Sequence, residues 1–454
     1  MVLPVETDYW GMINSARRVM VKQQTLHAKV GFMNWGQITT MKRPALAQYI
    51  QARGMRQIVI MGPMSGAPWL GMYSQYLYEP TLKLKGQYTN ESWCLDKRAE
   101  ACAILHSLEK VIGAELECLA PFELAMTPDL APGSVVPHFP GSVATLQDGS
   151  PAPSNNWGPC VSAHDGSAAC QQFIAMHGRS FVYIMDTKVV GPHSYLNFVK
   201  QKFDEVLARG FSGAYFDLFS YAYGTGFGST NPGRFRYTWD RSDGFSVDLA
   251  PNHTIARQKA DLCLWTAEAR AQLVKSIIAS STPLRSGKAP SIVVNDMAVA
   301  DIIRELPIHH FVEGILPQGY AQTHLSTPIV LGWTPSYTPG AHADDKSGTW
   351  WNHWVNATNA DLLSDMRDKL ASGCLYFTYW SESKLLTNCS LYEHMYPITV
   401  RELHAGYVIG EERILVTRPG RYGWNDSTPL SALRLHCFTE QAEGVEVAPT
   451  IHTD

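Results

Sequence analysis

The sequence predicts an α/β fold in which a (β/α)8 TIM barrel is followed by a small C-terminal antiparallel β domain. The first observation is a recurring unit: a helical apolar pattern ends in a glycine, and a short apolar strand follows. The second is that these strands are continuous apolar runs, which is typical of parallel strands covered on both faces. The third is that helical periodicity stops after about Glu382.

The helical part of the unit is clearest over Tyr195–Arg209, where the residues at the spacing of one helix face are apolar: Val199, Phe203, Val206 and Leu207. Gly210 then suits the left-handed position beyond the helix end. The same pattern predicts helices over 44–53, 169–177 and 361–371, each followed by a glycine and an apolar strand.

Eight apolar runs are the candidate strands of the barrel. In chain order they are KVGFMN (29–34), QIVIMG (57–62), SFVYIMD (180–186), AYF (214–216), SIVVND (291–296), HHFVEG (309–314), PIVLG (328–332) and CLYFTY (374–379). Eight such strands alternating with helices favour a closed barrel over an open doubly wound sheet. No glycine-rich nucleotide-binding motif opens a helix, which weakens the open-sheet alternative.

A ninth run, ELECL at Glu115–Leu119, exceeds the number of strands that a barrel needs. We assign it to an insertion around residues 63–165, which also contains the stretch Pro128–Pro159. That stretch is too long and too rich in Pro, Gly and Ser for an ordinary connection. The predicted domains are therefore a barrel over 1–381, interrupted by this insertion, and a β domain over 382–454, where 407–424 and 432–438 read as short strands.

Composition and motifs exclude several classes of partner. The formal net charge is −4 and the basic residues are scattered, so no basic run is available to contact phosphates of nucleic acid. No apolar run approaches the ~20 residues of a membrane span. No pair of CxxC motifs indicates zinc, and we predict neither a metal nor a cofactor. The loop His342–Trp354 mixes His, Asp and Trp, which leaves calcium binding as an alternative. The sequence leaves the oligomeric state open.

Cysteines and sequons favour a secreted or lumenal protein. Of the nine cysteines, Cys160 and Cys170 flank a short polar loop and are a candidate disulfide, and Cys94 with Cys102 is another possible pair. Five N-x-S/T sequons begin at Asn90, Asn252, Asn356, Asn388 and Asn425. The first residues, MVLPVETDYW, contain no visible signal peptide. The alternative is a cytosolic protein with reduced thiols and unused sequons.

Candidate functional residues follow the ends of the predicted strands, because the chemistry of a barrel is located at the carboxyl ends of its strands. Asp217 has bulky apolar neighbours on both sides, and a partly desolvated carboxylate is retained only with partners or a function. Glu313 ends a strand two positions further round the ring. The other strand-end residues are Trp35, Asp186, Asn295, Asp296, Trp333 and Tyr379. Each acid alone also fits a simple helix cap.

Two carboxylates across a pocket are what glycosidic cleavage requires, one as nucleophile or base and the other as proton donor. The long loop after Asp217 adds Trp239, Asp240 and Asp243. These residues suit a stacking platform and hydrogen bonds to sugar hydroxyls, or else a solvated charged loop.

Several motifs together resemble the (β/α)8-barrel glycoside hydrolases that carry a C-terminal β domain. They are GAYFDLFSY, YTWDRSDGFSVD (237–248), HHFVEG, TPIVLG and the tail from Met395 to Trp424. The resemblance implies hydrolysis of an oligo- or polysaccharide, with the acid ending the fourth strand as nucleophile and the acid ending the sixth as acid/base. By position these are Asp217 and Glu313. The assignment depends on leaving ELECL out of the strand count.

A second hypothesis is a catalytically inactive barrel that serves as an extracellular carbohydrate-binding or structural protein, since a fold does not determine a function. A different barrel enzyme, such as a lyase or isomerase, is a third. An intact pair of acids facing one open pocket favours hydrolysis, whereas acids held in salt bridges favour the inactive barrel.

Overall fold

The structure is a computed structural model that describes part of the chain. The described residues are 25–26, 30–52, 55–61, 91–123, 133–143, 150–151, 168, 171, 174–175, 179, 181, 183, 189–217, 219, 247–249, 251–252, 255–258, 263–280, 287–295, 306–312, 330–333, 374–377, 398–399, 403–404, 407–409, 413–416, 434–439 and 442–447.

The main feature is an eight-stranded parallel sheet in which the strands follow one another in chain order. Strand β1 (Thr25–Leu26) pairs with β12 (Ile398–Thr399) outside this sheet. The sheet consists of β2 (Val30–Asn34), β3 (Gln57–Met61), β4 (Glu117–Glu123), β5 (Gly213–Asp217), β8 (Ser291–Asn295), β9 (His309–Val312), β10 (Val330–Trp333) and β11 (Cys374–Phe377). Each neighbouring pair is parallel.

Five α-helices lie between the described strands. They are α1 (Trp35–Thr40), α2 (Arg43–Ala52), α3 (Glu91–Ile112), α4 (Tyr195–Ala208) and α5 (Cys263–Ser280), and a 3-10 turn spans Gly191–His193. The helices predicted over 44–53 and 195–209 are confirmed as α2 and α4. The helix predicted over 361–371 lies outside the described residues, as does most of 169–177.

The third strand of the sheet corrects the sequence-based assignment. We placed ELECL in an insertion and SFVYIMD in the sheet, but β4 (Glu117–Glu123) is hydrogen-bonded between β3 and β5. A strand with a neighbour on each side leaves no place for another between β3 and β5. Of residues 180–186, the structure describes Phe181 and Tyr183, and Tyr183 forms an isolated antiparallel bridge with Val143.

Strand β4 contains Pro121, and proline cannot donate to a sheet ladder. The described pairing of β4 with β3 ends at Leu119, whereas its pairing with β5 continues to Glu123. Pro121 therefore lies beyond the segment of β4 that is paired on both sides.

Both faces of the sheet are buried, as continuous apolar runs predict. One face packs against the helices and contributes Ile58, Ile60, Cys118, Ala120, Phe122, Ala214, Phe216, Ile292 and Val294 to the main core. The alternate positions, which a strand directs to the other face, are also buried: Phe32, Val59, Leu119, Tyr215 and Val293. Phe32 and Tyr215 meet edge to face, with ring centroids 5.0 Å apart.

The C-terminal strands form a mixed sheet in the order β13 (Leu403–His404), β14 (Tyr407–Ile409), β15 (Arg413–Val416), β16 (Arg434–Thr439) and β17 (Ala442–Val447). The prediction of a purely antiparallel sheet is corrected at one pair, because β15 and β16 are parallel. A separate hairpin joins β6 (Val247–Leu249) to β7 (Ile255–Gln258), and the sequon residue Asn252 is exposed between them.

Cys102 of α3 pairs as a disulfide with Cys118 of β4, and their Cα atoms are 5.7 Å apart. This corrects the suggested pairing of Cys102 with Cys94. The predicted Cys160–Cys170 pair lies outside the described residues.

Among the helices that the structure describes, none has the length and apolar character needed to cross a membrane.

Candidate active site at the carboxyl ends of the strands

Because the eight strands are parallel, their carboxyl ends share one edge of the sheet. Register sets which strand-end residues are neighbours. The Cα of Asp217 at the end of β5 pairs with that of Glu123 at the end of β4. The other terminal pairs are Asn34 with Met61, Asn295 with Phe311, and Trp333 with Phe377. The predicted site positions Asp217, Asn295 and Trp333 thus lie at this common edge.

Helix α4 determines where β5 begins. The side chain of Ser194 caps the helix by accepting a hydrogen bond from the Asn197 N–H at 3.2 Å. The helix ends before Gly210, which has a φ of 94°, a left-handed conformation that glycine adopts without strain. The predicted role of Gly210 is confirmed. The chain then reverses and enters β5, which ends at Asp217.

The aromatic residues around Asp217 divide between the two faces of β5. Phe216 lies in the core between sheet and helices, with ring centroids 5.4 Å from Phe122 and 6.2 Å from Phe203. Tyr215 is on the opposite face, against Phe32. By the two-residue periodicity of a strand, position 217 belongs to the face of Tyr215. Phe216 therefore stabilises the strand on the face that packs against the helices, while Tyr215 lies on the same face as position 217.

The turn after Asp217 is held by a buried cation. Arg270 of α5 is 2% exposed, and its Nη1 donates a hydrogen bond to the carbonyl oxygen of Phe219 at 3.0 Å. Its guanidinium carbon also lies 5.7 Å from the centroid of the Phe219 ring. The ring of Phe219 stacks on that of Phe216 at 6.1 Å. A hydrogen bond and ring packing therefore fix the chain immediately beyond the candidate nucleophile.

Trp35 begins α1 directly after β2. Its side chain is half-buried and packs against the main core. The preceding residue, Asn34, is exposed and caps α1, since its Oδ1 accepts a hydrogen bond from the Gly36 N–H at 2.8 Å. Asn34 thus has the capping role that strand-end polar residues commonly have.

The remaining predicted site residues lie outside the described part of the chain. Glu313 directly follows Val312, the last residue of β9, and Asp296 directly follows Asn295, the last residue of β8. The others are Asp186, Trp239, Asp240, Asp243 and Tyr379.

Glu123 is the strand-end residue that sequence reasoning missed. The sequence analysis assigns its strand to an insertion, so Glu123 is not among the predicted site residues. A signal was present, because the apolar run Leu119–Phe122 ends in an acid just as Ala214–Phe216 does. Glu123 and Asp217 are Cα partners on adjacent strands, so the edge holds two neighbouring acidic positions.

The correction of β4 leaves the numbering of the site strands unchanged. Adding ELECL to the sheet and removing SFVYIMD from it are compensating changes, so β5 is still fourth in order and β9 still sixth. Asp217 therefore ends the fourth strand, and Glu313 follows the sixth.

Among the described residues, three side chains with the spacing of metal ligands lie near the amino ends of the parallel strands. They are Cys102, His106 and Cys118, and Cys118 is the second residue of β4. They are therefore separate from the acidic positions at the carboxyl edge.

No protein-family model matches the sequence, and no curated protein matches it. Solved structures similar to the chain are GH31 and other glycoside hydrolases. One is a GH31 dextranase of Flavobacterium johnsoniae complexed with isomaltotriose, with 8% identity over 86% of this chain and a TM-score of 0.42. Another is an α-galactosidase of Thermus thermophilus in complex with stachyose, with 8% identity over 80% of this chain and a TM-score of 0.35.

A third similar structure is a cycloalternan-forming enzyme of Listeria monocytogenes in complex with a pentasaccharide, with 8% identity over 80% of this chain and a TM-score of 0.34. The chain spans 41% of the length of the dextranase, 56% of the α-galactosidase and 27% of the cycloalternan-forming enzyme.

Proposed function

We propose that this chain is a glycoside hydrolase whose active site lies at the carboxyl ends of its parallel strands. The observation that carries the proposal is the position of Asp217, which ends the fourth strand of a sequentially ordered parallel sheet beside Glu123. In barrels with this strand order, catalytic side chains come from the carboxyl ends of several strands. Glycosidic cleavage needs two carboxyl groups at such a site.

The proposal includes closure of the sheet into a (β/α)8 barrel. In the described sheet, β2 and β11 are the two outermost strands. An open edge leaves backbone N–H and C=O groups unpaired, and closure satisfies them. The side chains of β2 are buried as those of an inner strand would be, with Val30, Phe32 and Met33 at most 3% exposed. This burial supports a neighbour beyond β2.

We assign the nucleophile to Asp217. Its carboxylate would attack the anomeric carbon while the bond from that carbon to the leaving oxygen breaks and an acid donates its proton to that oxygen. Water, deprotonated by the same residue that acted as acid, would then displace the carboxylate and release the sugar. The proton taken from water restores the acid, so the cycle closes without a cofactor.

Two residues are candidates for the acid. Glu313 follows the sixth strand, as the resemblance implies. Glu123 ends the strand next to Asp217, and adjacent strands are ~4.8 Å apart, close to the ~5–5.5 Å between the two carboxyl groups of retaining enzymes. The pairing of Glu123 with Asp217 across β4 and β5 supports a role for Glu123 as the acid or as a residue that holds the sugar next to the nucleophile.

The test compares Asp217→Asn, Glu313→Gln and Glu123→Gln with the unmodified protein on a panel of glycans and aryl glycosides. Asp217→Asn keeps the size of the side chain and removes its charge, so kcat should fall by a factor of roughly 1,000 or more. The acid is the residue whose substitution impairs natural glycans strongly but aryl glycosides with acidic phenols weakly, because such leaving groups need little protonation.

Asp204→Asn is the matched control, since Asp204 is exposed on α4, and its activity should be unchanged. Equal cleavage by the unmodified protein and Asp217→Asn would place the nucleophile elsewhere. Glycan binding without cleavage across the panel would instead favour an inactive carbohydrate-binding barrel.

A further inference from the structure

Three metal-ligand side chains converge where helix α3 meets strand β4. Cys102 and His106 are four residues apart on α3, which places them on one helix face, and Cys118 lies on β4. The imidazole Nε2 of His106 is 3.4 Å from the sulfur of Cys102 and 3.8 Å from that of Cys118. The cysteines are buried, at 1% and 0% exposure, whereas the side chain of His106 is 29% exposed.

We propose that Cys102, His106 and Cys118 bind a thiophilic divalent cation, with Zn²⁺ as the expected ion, when the Cys102–Cys118 disulfide is reduced. The disulfide and the metal site use the same sulfurs, so they are alternative states of one cluster. The site lies at the amino end of the sheet and does not depend on the glycosidase proposal.

The distances from nitrogen to sulfur fit this ion. Tetrahedral zinc, with bonds of ~2.3 Å to sulfur and ~2.0–2.1 Å to nitrogen, holds its sulfur and nitrogen ligands about 3.6 Å apart. The distances from the Nε2 of His106 to the two sulfurs, 3.4 and 3.8 Å, lie on either side of this separation. The sulfurs of a zinc site are about 3.8 Å apart, so the sulfurs must separate when the disulfide bond breaks.

A carboxylate orients the imidazole as it does in zinc proteins. The Nδ1 of His106 is 2.9 Å from Oε1 of Glu109, and the same oxygen accepts a hydrogen bond from the Leu116 N–H at 3.0 Å. In the neutral imidazole with Nδ1–H donating to Glu109, the lone pair is on Nε2, the nitrogen that faces the sulfurs. Metal-bound histidines commonly have such a carboxylate partner, which fixes the ring and its tautomer.

In the disulfide state neither sulfur carries a proton to donate, so the sulfurs offer no hydrogen bond to the Nε2 of a neutral His106 imidazole. A cation bound between the three atoms would satisfy that lone pair. Three protein ligands leave the fourth position of zinc open, and the exposed side of His106 offers solvent a way to reach it.

The change between the two states is a balanced two-electron step. Two equivalents of a small thiol reduce the disulfide to two cysteine thiols and leave as their own disulfide. Zn²⁺ then displaces the two thiol protons, so that the ion is held by two thiolates and one neutral imidazole.

The experiment uses the full chain, reduced with a trialkylphosphine, freed of the reductant without oxygen, and titrated with Co²⁺ and then Zn²⁺. We expect one high-affinity Co²⁺ per chain, with a thiolate charge-transfer band and the visible absorption of tetrahedral cobalt, both removed by Zn²⁺. The oxidised protein should show neither signal. Glu109→Gln should weaken binding by about 10–100-fold.

Cys102→Ser and Cys118→Ser should lose the charge-transfer band, whereas Cys94→Ser, on the same helix, should keep it. Because a serine in the core can prevent folding, His106→Gln is the decisive variant: it keeps both cysteines, and circular dichroism checks its fold. Its Co²⁺ affinity should fall at least tenfold. The proposal is overturned if reduced protein binds no Co²⁺ or Zn²⁺ at this stoichiometry, or if folded His106→Gln binds as tightly as the unmodified protein.

Discussion

Gly213 lies where the backbones of β5 and β8 meet in register, opposite Ser291. A Cβ atom at this position would overlap the carbonyl oxygen of Ser291. A backbone atom cannot move aside as a flexible side chain can, so only glycine fits here. The residue matters to the candidate site because Gly213 begins the strand that ends at Asp217.

We expect Gly213→Ala to lower the free energy of unfolding by about 3 kcal/mol or more, because the added methyl group must push β5 away from β8. The midpoint of urea denaturation measures the change. Gly36→Ala is the control, since the added methyl would meet only a side-chain oxygen of Asn34, at 3.2 Å. A loss at Gly213 no larger than at Gly36 would contradict the close approach of the strands.

Tyr183 shows how a buried hydroxyl organises a loop. Its oxygen accepts hydrogen bonds from the backbone N–H groups of His138, at 2.7 Å, and Phe139, at 3.2 Å. Burial raises the pKa of Tyr183 from 10.0 to about 12, although the two backbone hydrogen bonds act in the opposite direction. The folded protein therefore holds this proton more tightly than the unfolded chain does.

Tyr183→Phe should cost about 1–3 kcal/mol at pH 7, since the buried N–H of Phe139 and the part-buried N–H of His138 lose their acceptor. A raised pKa contributes stability that is complete below the unfolded value near pH 10 and is lost as pH rises through about 12. The stability difference between unmodified protein and variant should therefore shrink above pH 10. Urea denaturation at pH 7, 9, 10 and 11 measures it, and a constant difference would refute the assignment.

Helix α4 is the element that places β5, and its capping residue is buried. Ser194 is 1% exposed, and one face of the helix buries Tyr195, Val199, Phe203 and Val206 in the core. The sequence predicted this helix from the spacing of the apolar residues. The helix brings Phe203 against Phe216, and thereby supports the strand that carries Asp217.

Ser194→Ala should lower stability by about 1 kcal/mol, because the Asn197 N–H loses its side-chain acceptor. Thermal unfolding followed by circular dichroism measures the effect. Ser107→Ala is the comparison, since Ser107 is exposed within α3 and donates only to the Ile104 carbonyl. Similar losses at the two positions would mean that the cap does not hold α4.

At the scale of the whole molecule, the eight-stranded sheet and the C-terminal sheet do not share a strand in the described residues. A short antiparallel pair, Thr25–Leu26 with Ile398–Thr399, joins an early segment to a late one. We propose that residues 382–454 form a separate β domain and that 1–381 contains the barrel.

A chain ending at residue 381 should keep its α/β circular dichroism spectrum and unfold cooperatively, because each strand of the parallel sheet finds its partners before that point. The truncation removes β12 and therefore the two-residue β1–β12 pair, and this loss should cost little stability. Loss of cooperative unfolding in this truncated chain would mean that the two sheets form one folding unit. The unmodified chain, measured under the same conditions, is the reference.

Local pattern in the sequence predicted helices α2 and α4 and most strands of the parallel sheet, because the periods of a helix and of a buried strand appear in consecutive residues. It also placed Asp217 at the end of a buried strand and Gly210 at the end of α4. It did not predict α1, α3 or α5. The tertiary structure decided what depends on neighbours distant in the chain: ELECL rather than SFVYIMD is the third strand, Cys118 is the partner of Cys102, and Glu123 lies beside Asp217. A pattern of apolar residues records that a segment is buried, whereas only the pairing of strands determines which segments meet.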